Sequence, residues 1–367
     1  MAEAWSRHTS ELRTEQARAT ARRLRSLGWF LLAGIYAVCA HQFAARTMSA
    51  LAAGPYAAGP YASIAGRLLF VLLLLAGFAA MGLLGRQQTS PLAAVGLPRR
   101  PGFGREWALG AALGWAGIVL CVLPVALTGG LLFTAGTSGK AASAGAAVLD
   151  LLALAAAALA DELVFRGYPF QRLIEVTGPT LATILMTLLF TLGRESSSSS
   201  PGSLLVTLLL GVLLAMAYLR TRALWVGWGF HFAWNASMAV LFGLPLSGLT
   251  EFSPVFSTYT TGTPWLTGGR YGPEGSAIAI LVLLGLLIAI ARATRDLHHR
   301  WAFPEIVGAG IPVDIDAISQ RQHEKGMGSG VGAGAEAAIQ PPAGSQLVQI
   351  APFLPQPSPP SGDADDH

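Results

Sequence analysis

Ionisable side chains interrupt three of the most apolar stretches of this sequence. Asp161-Glu162-Leu163-Val164-Phe165-Arg166-Gly167 follows the run LLALAAAALA, Phe190-Thr191-Leu192-Gly193-Arg194-Glu195 closes a second run, and His231-Phe232-Ala233-Trp234-Asn235 lies within LWVGWGFHFAWNAS. Such groups are costly in an apolar surrounding unless they are paired or hydrated, so they mark a functional site by default. Their types suit acid–base and electrophilic chemistry: carboxylates that can take a proton, an imidazole, an amide, and guanidinium groups that only donate. On a helix, Glu162 and Arg166, Phe190 and Arg194, and His231 and Asn235 are each i,i+4 pairs and share a face.

Simpler roles compete with a shared site. Glu162 and Arg166 can neutralise each other and fix helix packing. His231 can be a hydrogen-bonded core histidine. Arg194 and Glu195, at a helix end, can snorkel to the outer interface. Three clusters on three helices of one small bundle nevertheless favour a single site. His41, alone in its stretch, reads as structural.

The elements that must carry these residues follow from composition. Of 367 residues 53% are hydrophobic and 12% charged, about half the charge of an ordinary soluble domain. This excludes a disordered chain and disfavours a soluble enzyme. The apolar blocks are long enough to cross a bilayer, so the expected fold is all-α, a polytopic transmembrane helix bundle. Eight spans are expected: Trp29 to Phe43 (extending to Ala53), Ile64 to Leu84, Trp107 to Leu127, one from Ala144, Pro179 to Gly193, Leu204 to Leu219, Leu224 to Phe242, and Ser276 to Ala291. With a cytoplasmic N-terminus, most arginines fall on the inner segments, as the positive-inside rule requires, and the C-terminus is cytoplasmic too. The net charge of +4 therefore reads as topology, and no nucleic-acid partner is expected. Cys39 and Cys121 sit in apolar stretches and offer neither a disulfide framework nor a cysteine metal site. No cleavable signal peptide is expected.

Residues 1–28 form a basic cytoplasmic segment, either a helix on anionic headgroups or a solvated lead-in. Residues 29–300 form the bundle. Residues 301–367, rich in Gly, Pro, Ser and Ala, read as a disordered cytoplasmic tail. Ser196 to Ser200 reads as an outer loop. If the fourth helix runs on to Val176, Gly178-Pro179 is an inner turn. Asp161 then lies 17 residues before Gly178 (178 − 161) and Arg194 lies 16 after it (194 − 178), at similar depth, roughly 25 Å along each helix.

At these residues the sequence resembles the CPBP intramembrane protease family, which includes CAAX prenyl proteases and bacteriocin-processing or immunity proteins. The family's Glu-Glu-x-x-x-Arg is matched by Asp161-Glu162-Leu163-Val164-Phe165-Arg166, its Phe-x-x-x-His by Phe190 to Arg194, and its His-x-x-x-Asn by His231 and Asn235. The stretch Trp265 to Ser276 is similar to a loop that many bacterial members carry before their last helix, and the resemblance covers about Leu97 to Ala291. It implies an endopeptidase that hydrolyses membrane-associated peptide or protein substrates in the plasma membrane. A leading carboxylate and the second-motif histidine would activate water, and His231 with Asn235 would polarise the carbonyl.

Two positions depart from the pattern. The leading Glu is Asp161, one methylene shorter, and the second-motif His is Arg194, which can neither take a proton nor bind a metal. The resemblance implies a zinc, for which His231 and Glu162 are the remaining candidate ligands. Arg194 is equally suited to an ion pair with Asp161 or Glu162. If the chain is active, Asp161 or Glu162 is the base and Glu162 with Arg166 organises the site. The alternatives are a catalytically inactive relative that binds membrane peptides or partners through the same cavity, and a small transporter or lipid-binding bundle.

Overall fold

The computed structural model describes residues 2–53, 60–85, 90–135, 144–194, 199–250 and 252–301. All of them fall in the first of two compact units, Met1–Pro312. The tail expected to be disordered lies outside the described residues from 302 onward, as do residues 196–198 of the expected outer loop.

The five longest helices are α1 (Ala2–Ala53), which joins the basic N-terminal stretch and the first apolar run in one helix, α2 (Pro60–Leu84), α4 (Phe103–Leu127), α5 (Ala144–Phe165) and α8 (Pro201–Thr221). A short α3 (Pro91–Ala94) lies between α2 and α4. The second half of the bundle adds α6 (Tyr168–Thr177), α7 (Pro179–Gly193), α9 (Trp225–Ala236), α10 (Pro264–Thr267), α11 (Ala277–Ala293) and α12 (Arg295–Trp301). Four stretches, at residues 16–50, 64–84, 103–127 and 201–221, are long and apolar enough to cross a membrane. The pair α11 and α12, bent by 54°, makes a fifth by the same measure. The other three of the eight expected spans correspond to α5, to α7 with 15 residues, and to α9 with 12 residues.

The structure departs from a run-on fourth helix and adds one short strand pair to a mostly helical bundle. The helix from Ala144 does not continue to Val176: it ends at Phe165, and α6 starts at Tyr168. A Cβ on Gly167 would lie 2.4 Å from the Leu163 carbonyl oxygen, and Pro169 sits in the first turn of α6, where its missing N–H costs nothing. Within a continuing helix, Pro169 would have removed a hydrogen bond and clashed with the preceding turn. The bundle is also not purely helical. Strands β1 (Leu131–Ala135) and β2 (Phe256–Thr260) pair antiparallel, with Leu131 opposite Thr260 and Ala135 opposite Phe256. β2 is rich in β-branched and aromatic residues, and Gly130 and Gly262 meet beside the Leu131–Thr260 end of the ladder.

The element that fixes the site most firmly is the α4–α9 pair. A Cβ on Gly110 would lie 2.0 Å from the Val226 carbonyl oxygen, one on Gly114 2.3 Å from that of Phe230, and one on Gly229 2.1 Å from that of Trp107. The helices meet backbone to backbone, as small residues allow in apolar bundles. Indole N–H groups hold the rest of α9: Trp225 Nε1 donates to the Pro98 carbonyl at 3.0 Å and Trp228 Nε1 to that of Ala155 at 3.0 Å. After Ala236 the helix widens into a π-helical turn, Ser237–Leu241.

Candidate functional site

Three helices bring the ionisable clusters together. Glu162, near the end of α5, is wholly buried and lies along the α9 face made by Gly227 and His231. A Cβ on Gly227 would stand 3.0 Å from Glu162 Oε2, so this glycine clears the space for the carboxylate. Glu162 Oε1 is 3.1 Å from His231 Nδ1 and 3.4 Å from Arg166 Nη1. The other arm of Arg166 reaches the Gly211 carbonyl of α8 at 3.3 Å. The i,i+4 pair thus forms, and it also ties α5 to α8 and α9.

Arg194 is the residue that ends α7. It does not snorkel outward. Its Nη1 lies 3.2 Å from Asp161 Oδ2 and 3.3 Å from His231 Nε2, and its Nη2 lies 3.1 Å from Ser247 Oγ. Glu195, its neighbour, lies outside the described residues. A guanidinium only donates, so His231 Nε2 accepts from Arg194, and the imidazole proton sits on Nδ1 and is donated to Glu162. His231 is wholly buried, whereas the Asp161 side chain is 36% exposed and that of Arg194 17%. Asp161 and Arg194 therefore form the open rim of the site, and Glu162, Arg166 and His231 its floor.

Phe190 is buried between the two cations. The guanidinium carbon of Arg166 stands 4.2 Å from its ring centroid and that of Arg194 5.4 Å, and the His231 ring meets it edge-on at 6.1 Å. An aromatic face stabilises a positive charge set over it. Asn235 lies one turn beyond His231 and is buried; its Oδ1 has no hydrogen-bond partner among the described residues, and neither has Glu162 Oε2. His41 lies elsewhere, edge-on to Phe70 across α1 and α2.

Sequence reasoning missed Ser247 and Glu274. Glu274 is buried in the turn before α11, where its carboxylate takes Ser247 N at 2.6 Å, Ser247 Oγ at 2.7 Å and Trp234 Nε1 at 3.3 Å. Its signal in the sequence was an acidic residue inside the Gly- and Pro-rich stretch Trp265 to Ser276.

The zinc implied by the resemblance does not fit these residues. Asp161 and Glu162 face opposite nitrogens of His231, and Arg194 hydrogen bonds to both Asp161 Oδ2 and His231 Nε2, the atoms a metal would need. Among the described residues no group of three or more His, Cys, Asp and Glu side chains is arranged to hold a metal ion.

Residues 143–237 match the model of a protein family described as type II CAAX prenyl endopeptidase Rce1-like. The matched segment spans all three ionisable clusters and supports the CPBP/CAAX protease family for this chain. No curated protein and no solved structure matches the chain.

Proposed function

We propose that this chain is a CAAX-type intramembrane endopeptidase of the plasma membrane, with eight crossings, that cleaves membrane-associated peptides at the Asp161–His231 site. The observation that carries this reading is a buried imidazole oriented by one carboxylate, Glu162, with a second carboxylate, Asp161, at the accessible rim. In the proposed step Asp161 takes a proton from water as the oxygen attacks the peptide carbonyl carbon. The same proton then passes to the leaving amine as the C–N bond breaks. Arg194 and the Asn235 amide face the negative charge that develops on the carbonyl oxygen. Glu162 holds the imidazole at a fixed angle, and Arg166 neutralises Glu162.

The hydrogen bonds that Arg194 makes to both Asp161 and His231 favour a second reading: a family relative that has lost hydrolysis and binds membrane peptides or partners in the same chamber. One assay separates the two. Purified protein is given a membrane-tethered peptide, and release of the product is followed. Cleavage that falls on the order of 10²-fold or more in Glu162→Gln and in His231→Ala supports the enzyme. Cleavage that survives both substitutions removes this site from consideration. No cleavage by the native chain, but cleavage by Arg194→His, supports a scaffold descended from a protease.

A further inference from the structure

We infer that Glu274, acting through Ser247, is the positioning residue that holds the Arg194 guanidinium inside the site. The inference rests on the site's geometry and not on peptide hydrolysis, so its failure would leave the proposed activity standing.

The hydrogen bonds run in one direction. The Ser247 hydroxyl has a single proton, and its 2.7 Å contact with a carboxylate oxygen of Glu274 places that proton there. The hydroxyl oxygen is then free to accept from Arg194 Nη2 at 3.1 Å. A positive charge, a hydroxyl relay and a negative charge lie in sequence. Arg194 is thus gripped from two sides, by Asp161 directly and by Glu274 through Ser247. Charge-assisted bonds of this kind are the stronger class.

Glu274 also sets the place of the relay. Ser247 is one of two non-glycine residues with positive φ among the described residues, at 50°, a region that side chains disfavour. Its backbone N–H and its hydroxyl both donate to the same Glu274 oxygen, which offsets that strain. The other Glu274 oxygen takes the indole N–H of Trp234, between His231 and Asn235 on α9. One buried carboxylate therefore references Arg194 to the helix that carries the imidazole. Ser247 and Glu274 lie outside the segment that matches the family model, 143–237, so the grip on this substituted motif position comes from the chain's C-terminal part. It also persists when Asp161 takes up a proton, because Glu274 then remains as the second counter-charge.

The test is arginine labelling of the full-length protein in detergent micelles with phenylglyoxal, with adducts at Arg194 and Arg166 counted by mass spectrometry. Glu274→Gln and Ser247→Gly are compared with the native chain. Ser247→Gly removes the hydroxyl while suiting the positive φ, so it loses the relay without straining the backbone. Labelling at Arg194 is expected to rise roughly tenfold in both, the factor carried by one hydrogen bond to a charged group, with Arg166 unchanged. Arg194 labelling that stays at the native level in Ser247→Gly overturns the inference. So does a parallel rise at Arg166, which would mean general loosening. If Glu274→Gln does not fold, the Ser247→Gly comparison decides alone.

Discussion

Arg194 gives the site its particular character. In place of a group that exchanges protons it sets a permanent charge against Asp161 and His231. In the proposed reaction the acid–base work therefore falls on the carboxylates. Of these, Asp161 is the reachable one, and Asp161→Asn is expected to abolish cleavage while leaving the unfolding free energy within about 1 kcal/mol of native, as for a partly exposed pair. Unimpaired cleavage by that variant would exclude Asp161 as the base. Arg166 has the opposite profile. It is the one cation bonded to wholly buried Glu162 among the described residues. Arg166→Leu strands that charge and is expected to cost about 3–5 kcal/mol in stability, measured by unfolding in detergent. At this scale the sequence was informative: carboxylates, imidazole and guanidinium inside apolar helices announce themselves. Ser247 and Glu274 did not, because polar residues in a loop look alike whether they face solvent or a buried cation.

At the scale of elements, apolar runs gave α2, α4, α7, α8 and α11 to within a few residues of the observed ends. The failures have identifiable causes. Gly167 and Pro169 break a helix whose hydrophobicity continues across them, so apolarity alone does not mark its end. The pairing of β1 with β2 joins segments far apart in the chain, and a pair without local periodicity is invisible to pattern reading. The glycines of α4 take their meaning from the facing carbonyls of α9. They make a sharp prediction: Gly114→Val drives a side chain into the Phe230 carbonyl. It is expected to lower stability by about 1–3 kcal/mol, with thermal unfolding in detergent as the readout. A midpoint equal to that of the native chain would show that the two helices separate at low cost.

For the whole molecule, contacts between segments far apart in the chain gather at two ends, as the eight crossings proposed above require. Ser26 bonds Glu175 at 2.6 Å, Trp225 bonds the Pro98 carbonyl, and Arg100 lies 4.5 Å from the ring centroid of Trp301. In an eight-crossing chain all six residues belong to the cytoplasmic side. The β1 and β2 strands pair at the other end, and α5, α7, α8 and α9 lie between them in the chain, an even number of passages that returns both strands to one face. Membrane-impermeant thiol labelling of a cysteine placed at residue 2, at Ser199 or at Tyr259, in a background without Cys39 and Cys121, is expected to mark only the last two from outside intact cells. Labelling at residue 2 from outside would invert the arrangement and the arginine bias with it.

Gly110, Gly114 and Gly229 bring the α4 and α9 backbones into direct contact. Two rods that touch along their spines bend as one thicker rod, and stiffness rises steeply with thickness. The aim of the His231 ring therefore depends on a seam of missing methyl groups on a neighbouring helix as well as on the side chains bonded to its nitrogens.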